Sequence, residues 1–310
     1  MINLIDTTTY KAFGFDVNSM IDLPELQKVS DCDEASDINI MITDLTEKLD
    51  KHGVKGQYFT VTNEFVLFHV PEIAIFLIQD GNTILVSPYE GATTDHIRLY
   101  LLGTCMGILL MQRKILPLHG SALAIDGKAY AIVGDSGAGK STLASALLKQ
   151  GYGLISDDVI PVTLSEEGIP MVTPAYPQQK LWQESLTEFG MDSVGYRPIV
   201  DRETKFAIPV QSQFVTESMP LAGVFELVKT NDDDVKLQPI TGLERFQKLY
   251  YHTYRNFLLE PMGLMQWHFN LCAQMVSKLR VYQLQRPVSR FTANDLVSLL
   301  LSTVQEGENK

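Results

Sequence analysis

The stretch Gly134-Asp135-Ser136-Gly137-Ala138-Gly139-Lys140-Ser141-Thr142 constrains this chain more than any other. It fits the pattern G-x-x-x-x-G-K-[ST]. Its flanks are what that pattern needs, an apolar run at Lys128–Val133 before it and a helix-forming run at Thr142–Gln150 after it. Glycines let successive backbone N–H groups turn towards phosphate oxygens, and the first turn of the helix adds partial positive charge. Lys140 is placed to reach the β- and γ-phosphates, and the Ser141 hydroxyl to ligate Mg²⁺. A plain strand-to-helix turn needs neither Lys followed by Ser nor glycine at these places. The whole of Gly134–Thr142 is therefore the expected nucleotide cradle, with ATP and Mg²⁺ as the expected cofactors.

Asp157 and Asp158 follow one helix and one turn later, where a second strand can return beside the first. Neighbouring residues of a strand point to opposite faces. A regular strand would therefore aim only one carboxylate at the phosphates, unless it ends or bulges there. Phosphoryl transfer has two uses for acids: one to support the metal, one to accept the proton of the attacking hydroxyl. His119 begins a hairpin, Ser121–Ile125 and Lys128–Val133 joined by Asp126-Gly127, whose second strand feeds the loop. Beside two carboxylates it is expected to be favoured in its charged form and to tune the base. Lys205 and Arg255 are further candidates for neutralising phosphate charge. The tyrosines around Tyr250–Tyr254, with Trp182 and Trp267, read as packing.

The rest of the chain bounds the reading. A net charge of −12 with no basic cluster argues against nucleic acid as partner. The most apolar run, Leu99–Met111, is short of the ~20 residues that span a bilayer. The start of the chain lacks a basic, apolar leader, so no membrane partner and a cytoplasmic location are expected. The 3 cysteines, Cys32, Cys105 and Cys272, show no metal or redox spacing. Residues 1–92 read as a β-rich N-terminal domain of small antiparallel strands (Lys11–Val17, Asp37–Thr43, Gln57–Thr62, Glu64–Val70, Ala74–Gln79, Thr83–Pro88). Residues 93–310 read as the catalytic domain. Within it the spacing predicts a helix at Thr94–Arg113, a strand over Gly153–Val162 broken at Asp157-Asp158, and a hairpin of Leu221–Val228 with Val235–Pro239. Helices are predicted at Leu181–Phe189, Gly242–Leu258, Gly263–Leu279 and Ala293–Val304, and a strand at Val281–Leu284.

Leu118-His119-Gly120-Ser121, the loop, and Gly151-Tyr152-Gly153-Leu154-Ile155-Ser156-Asp157-Asp158 together resemble the catalytic domain of HPr kinase/phosphorylase. That family carries a His-Gly before a hairpin, a loop of this kind, and an Asp-Asp pair after a helix ending in Gly. The resemblance implies an α/β fold with a P-loop core like that of HPr kinase and phosphoenolpyruvate carboxykinase. It implies that Lys140 binds phosphate, Ser141 and Asp157 support the metal, and Asp157 and Asp158 supply the base, Asp158 being favoured, with His119 assisting. Thr142 stands where those enzymes usually have Glu, and their later Gly-rich, Arg-containing signature is absent. The resemblance thus implies neither HPr as substrate nor phosphorolysis. Arg98-Leu99-Tyr100-Leu101-Leu102-Gly103, Leu116-Pro117-Leu118-His119, Pro174-Ala175-Tyr176-Pro177 and Pro220-Leu221-Ala222-Gly223-Val224 look like the HPr-kinase-like proteins of lasso-peptide clusters, which phosphorylate the C-terminal serine of a precursor peptide. The expected activity is transfer of the ATP γ-phosphoryl group to a serine hydroxyl, with a lasso precursor peptide as partner and homo-oligomerisation left open. The rivals are a kinase of another protein or small molecule and a nucleotide-sensing module without catalysis.

Overall fold

The computed structural model describes residues 4–29, 36–54, 56–199 and 202–308. Its first sheet holds β1 (Leu4–Ala12), β2 (Phe15–Ile21), β3 (Gln27–Lys28), β4 (Ile38–Ile42), β5 (Phe59–Val61), β6 (Phe65–Val70), β7 (Ala74–Gln79) and β8 (Thr83–Pro88), with helix α1 (Thr46–His52) between β4 and β5. The spatial order is β3-β1-β2-β4-β8-β7-β6-β5. Two expectations fail here. Lys11–Val17 is not one strand but the corner between β1 and β2, because Phe13 and Gly14 both take positive φ and reverse the chain. The sheet is also mixed, since β4 pairs in parallel with both β2 and β8.

A long helical segment follows: α2 (Thr94–Tyr100), a π-helical turn at Leu101–Cys105, and α3 (Met106–Gln112). Thr93 caps it, its hydroxyl accepting the His96 N–H. The widened turn coincides with close approach by Tyr254. A Cβ on Gly107 would sit 2.6 Å from Tyr254 Cδ1, and one on Gly103 3.0 Å from the Tyr254 hydroxyl. Glycine at these positions is what lets an aromatic ring lie against the helix backbone, and π turns recur at such functional contacts.

The second sheet carries the loop. It is built from β9 (Leu116–Ile125), β10 (Lys128–Val133), β11 (Gly153–Leu164) and β12 (Pro170–Val172), with α4 (Lys140–Lys149) between β10 and β11. A small separate sheet of β13 (Gln178–Trp182), β14 (Arg197–Ile199) and β15 (Arg202–Pro209) follows, with α5 (Gln183–Glu188) after β13. The chain then returns to the second sheet with β16 (Met219–Thr230) and β17 (Lys236–Ile240). Helices α6 (Glu244–Tyr251) and α7 (Met265–Val276) come next, then β18 (Arg280–Pro287) and α8 (Ala293–Glu308). The order is β10-β9-β11-β12-β16-β18-β17, and a further β10–β16 pairing closes its first five strands on themselves. Helices α4 and α8 pack on one face through Leu143, Leu147, Leu296 and Leu300; α6 and α7 pack on the other through Leu249 and Met275. The result is a mixed α/β fold with a P-loop-type core.

Asp126 and Gly127 both have positive φ, as the type I′ turn of the β9–β10 hairpin requires. The expected hairpin of Leu221–Val228 with Val235–Pro239 does not form. Strand β18 lies between them, parallel to β16 and antiparallel to β17, so local turn chemistry gave way to a long-range pairing. The expected helix Gly242–Leu258 stops at Tyr251 and resumes as one 3₁₀ turn at Asn256–Leu258, because Arg255 adopts φ 53°. Cys105 and Cys272 are buried free thiols, while Cys32 lies outside the described residues. Among the described residues no helix is long and apolar enough to cross a membrane.

Candidate functional site

The loop leaves β10 at Gly134 and enters α4 at Lys140, with positive φ at Gly134, Gly137 and Gly139. Gly134 is pressed against β16, where a Cβ would lie 2.4 Å from the Leu227 carbonyl oxygen. Lys140 Nζ donates to the carbonyls of Gly134 (2.8 Å) and Asp135 (3.1 Å), crossing the loop. Burial lowers its pKa against the pull of Asp158 and Asp157. Two contacts that sequence reasoning missed brace the cradle from outside. Arg286 Nε donates to the Ala138 carbonyl at 2.6 Å, and the Tyr251 hydroxyl donates to Asp135 Oδ1 at 3.1 Å.

Strand β11 is not interrupted at the aspartates. Its register against β9 slips between Leu154 and Ser156, and Asp158 takes φ 80°. The slip lies before the aspartates and the register is regular across them; the left-handed Asp158 is what breaks the alternation there, and both carboxylates line one cavity with the loop and His119. Asp157 is 4% exposed and saturated: Oδ1 accepts Ser121 Oγ at 2.5 Å and Ser141 Oγ at 3.1 Å, and Oδ2 accepts the Lys180 backbone N–H at 2.8 Å. Asp158 Oδ2 accepts Lys180 Nζ at 2.6 Å. Burial opposes its ionisation, but the Lys180 ammonium outweighs that and holds the carboxyl well below the usual range. The same pairing overcomes burial at Lys180 and raises its pKa.

Lys180 therefore grips both aspartates, one through its amide and one through its side chain, and nothing in its sequence context marked it out. Its neighbours stitch β13 and α5 to the helix after the loop. Ser145 Oγ donates to Gln179 Oε1 at 3.0 Å, and the hydroxyls of Thr142 and Ser185 lie 2.7 Å apart.

His119 Nδ1 donates to the Asp158 carbonyl at 3.1 Å, which leaves Nε2 as the acceptor of the neutral ring. The expected charged histidine is corrected here. Burial, with Lys140 adding to it, lowers the His119 pKa more than Asp158 raises it. The backbone N–H of His119 donates to the His252 carbonyl at 2.7 Å. His252 in turn bonds Glu226 Oε1 at 2.9 Å, and Lys248 and Gln283 hold Glu226 Oε2 at 2.8 and 3.0 Å. Burial raises the Glu226 pKa, but these donors override it and bring the group to about 2. The tyrosines read as packing divide: Tyr251 and Tyr254 line the cavity, as does Trp182, while Trp267 packs against the core. Lys205 and Arg255 also line it.

Among the described residues no group of three or more His, Cys, Asp or Glu could hold a metal ion. The hydroxyl–carboxylate pair Ser141–Asp157 nonetheless fits Mg²⁺, which takes one or two protein oxygens and completes its shell from water and phosphate.

No family model matches the chain. It is 27% identical over 172 residues to the HPr kinase/phosphorylase of Ralstonia pickettii (strain 12J), covering 55% of this chain and 46% of that protein. It is 29% identical over 143 residues to the HPr kinase/phosphorylase of Burkholderia cenocepacia (strain HI2424), covering 46% and 42%. The chain spans about half the length of these curated relatives. A solved Hpr(Ser) kinase/phosphatase from Coxiella burnetii superposes with a TM-score of 0.33 and 17% identity over 62% of this chain and 95% of that one, a score too low to define a shared fold. In sequence, the chain is similar to HPr kinase/phosphorylases.

Two predictions test this geometry. Lys180→Met leaves Asp158 charged and unpaired, with a side chain 24% exposed. It should lower unfolding stability at neutral pH by on the order of 3 kcal/mol, the low end for breaking a buried pair, as read by urea denaturation. For Glu226 the folded pKa lies below the ordinary 4.5, so its contribution is full above that pH and is lost as pH falls towards 2. Glu226→Gln should therefore lose less stability than the wild type between pH 6 and pH 3; equal losses would show that the cluster does not hold the carboxylate down.

Proposed function

We propose that this chain is an ATP-dependent kinase that transfers the γ-phosphoryl group to a serine hydroxyl, the acceptor being the C-terminal serine of a lasso precursor peptide. The observation that carries the reading is convergence: the glycine loop, Lys140, Ser141, both aspartates and His119 border a single cavity of about 1400 Å³ at the end of β10. Pure nucleotide binding needs a cradle, a lysine and a metal ligand. It has no use for a second, ionised carboxylate beyond them.

Roles follow from how each side chain is engaged. The backbone N–H groups of Gly134–Thr142 and Lys140 hold the β- and γ-phosphates. Ser141, with Asp157 behind it, would hold Mg²⁺, which neutralises charge on the phosphates when bound. Both oxygens of Asp157 already accept hydrogen bonds, and it serves as a fixed support. Asp158 is ionised, and its Oδ1 lies 3.6 Å from His119 Nδ1. Of the two acids it is the one suited to accept the proton of the acceptor hydroxyl. The hydroxyl oxygen then bonds to the γ-phosphorus, the bond from phosphorus to the β–γ bridging oxygen breaks, and ADP departs. The low pKa of Asp158 makes it a weak base, which suits a loose transition state in which proton transfer is late and positioning supplies most of the rate.

The subtype rests on the sequence likeness to the lasso-cluster proteins. The relatives' names give kinase and phosphorylase as their activities and HPr as their partner. To test the reading, purified protein is incubated with Mg²⁺, ATP and a synthetic lasso precursor peptide ending in a free-acid serine, and the products are weighed by mass spectrometry. One added phosphoryl group at a mapped terminal serine is expected. Lys140→Ala should abolish it, and Asp158→Asn should slow it by about 10²–10⁴-fold, both variants remaining folded. Wild-type rates from purified Lys140→Ala would refute the role given to the loop.

A further inference from the structure

The cavity exceeds the roughly 300–1,000 Å³ of a single small-molecule site, so it has room for a second substrate beside a nucleotide. Its cations are not equivalent. Near the loop, Arg286 is tied to the Ala138 carbonyl, Lys140 to the Gly134 and Asp135 carbonyls, and Arg290 to Asp295. Beyond Asp158 the wall is made by the π-helical turn and by Tyr254 and Arg255. Asp158 and Arg255 meet that turn at consecutive residues. Asp158 Oδ2 lies 3.8 Å from where a Gly103 Cβ would be, and Arg255 Nη2 donates to Thr104 Oγ1 at 3.1 Å.

Arg255 is held there at a cost. Its φ of 53° is left-handed, a strained conformation for a residue with a long side chain. The turn around it is braced by Asn256 Nδ2, which donates to the carbonyls of Tyr250 and Tyr251. The guanidinium carbon lies 5.9 Å from the Phe59 ring and 5.7 Å from the Tyr254 ring. Among the described residues no carboxylate forms an ion pair with it. An arginine fixed by a strained turn, flanked by aromatic faces and short of an anionic partner is built to receive one. A planar fork of N–H donors matches a carboxylate in two parallel hydrogen bonds.

Resting on the kinase reading above, we propose that Arg255 binds the α-carboxylate of the acceptor's terminal serine while the hydroxyl of that same residue meets Asp158. Asp158 and Arg255 touch adjacent residues of the turn, Gly103 and Thr104, whose Cα atoms are ~3.8 Å apart. A serine hydroxyl lies ~3–4 Å from its own carboxylate oxygens, and a hydrogen bond of ~2.8 Å at each end gives a reach of roughly 9 Å. Selection for a chain end then comes from one residue. An internal serine has an amide where Arg255 expects an anion, and leaves the guanidinium unpaired.

The test uses three random-sequence decapeptide libraries: one ending in serine as the free acid, the same library as the carboxamide, and one in which the serine is followed by alanine. Each is incubated with the full chain, Mg²⁺ and ATP, and phosphorylation is measured by mass spectrometry. The wild type should phosphorylate the free-acid library roughly tenfold or more faster than either other library. Arg255→Gln should erase that preference while nucleotide affinity stays at the wild-type value, and Arg255→Lys should restore part of it. Equal rates on acid and carboxamide by the wild type, or a preference undiminished in Arg255→Gln, would overturn the assignment and leave the kinase reading standing. Should Arg255→Gln fail to bind nucleotide, the acid-to-carboxamide ratio of Arg255→Lys decides: a ratio equal to that of the wild type overturns the assignment. No product from any library, with nucleotide bound, would sink the peptide-kinase reading and this inference with it.

Discussion

A lysine ammonium 2.6 Å from one carboxylate, with its own backbone N–H 2.8 Å from another, organises the candidate site. Two neighbouring aspartates in a hydrophobic sheet would repel each other and resist ionisation. Lys180 removes both difficulties at once. It compensates the buried charge of Asp158 and satisfies an oxygen of Asp157. It does so from β13, an element outside the main sheet that is itself bonded to α4 through Gln179, as the adjoining α5 is through Ser185. The spacing between the phosphate loop and the acids is thus fixed by a strut as well as by the sheet, and the site depends on that strut being in place.

Backbone exceptions cluster where the chemistry would occur. Asp158 and Arg255 have positive φ, the loop glycines do too, and the helix facing them widens into a π turn. Each departs from the local rule that its neighbours obey. Together they bring two carboxylates to one face, admit Tyr254 against Gly103 and Gly107, and set Arg255 at the wall. His119 completes the arrangement as a neutral ring. Its backbone N–H is anchored on His252, and His252 is in turn held by the buried Glu226 cluster.

Much of this was legible in the sequence, and what was not has physical reasons. The loop announces itself, because glycine spacing and Lys-Ser have no cheap structural substitute. Asp126-Gly127 specified the β9–β10 turn because both residues tolerate positive φ. The placement of β18 between β16 and β17 could not be read, since parallel pairing leaves no signal at the turn. Lys180 escaped notice because an isolated lysine in a short strand carries no pattern; only the fold brings it to the acids. The charge state of His119 was misjudged for a similar reason. Nearby carboxylates could be read from sequence order, whereas the burial that outweighs them belongs to the packing.

The most direct measurement is a crystal structure of the protein with Mg²⁺ and a non-hydrolysable ATP analogue. The γ-phosphate should be seated on the loop amides and Lys140, the metal should touch Ser141, and Asp158 should stand on the open side of the terminal phosphorus with Lys180 still beside it. Nucleotide bound elsewhere, or a terminal phosphate separated from Asp158 by the sheet, would contradict that arrangement.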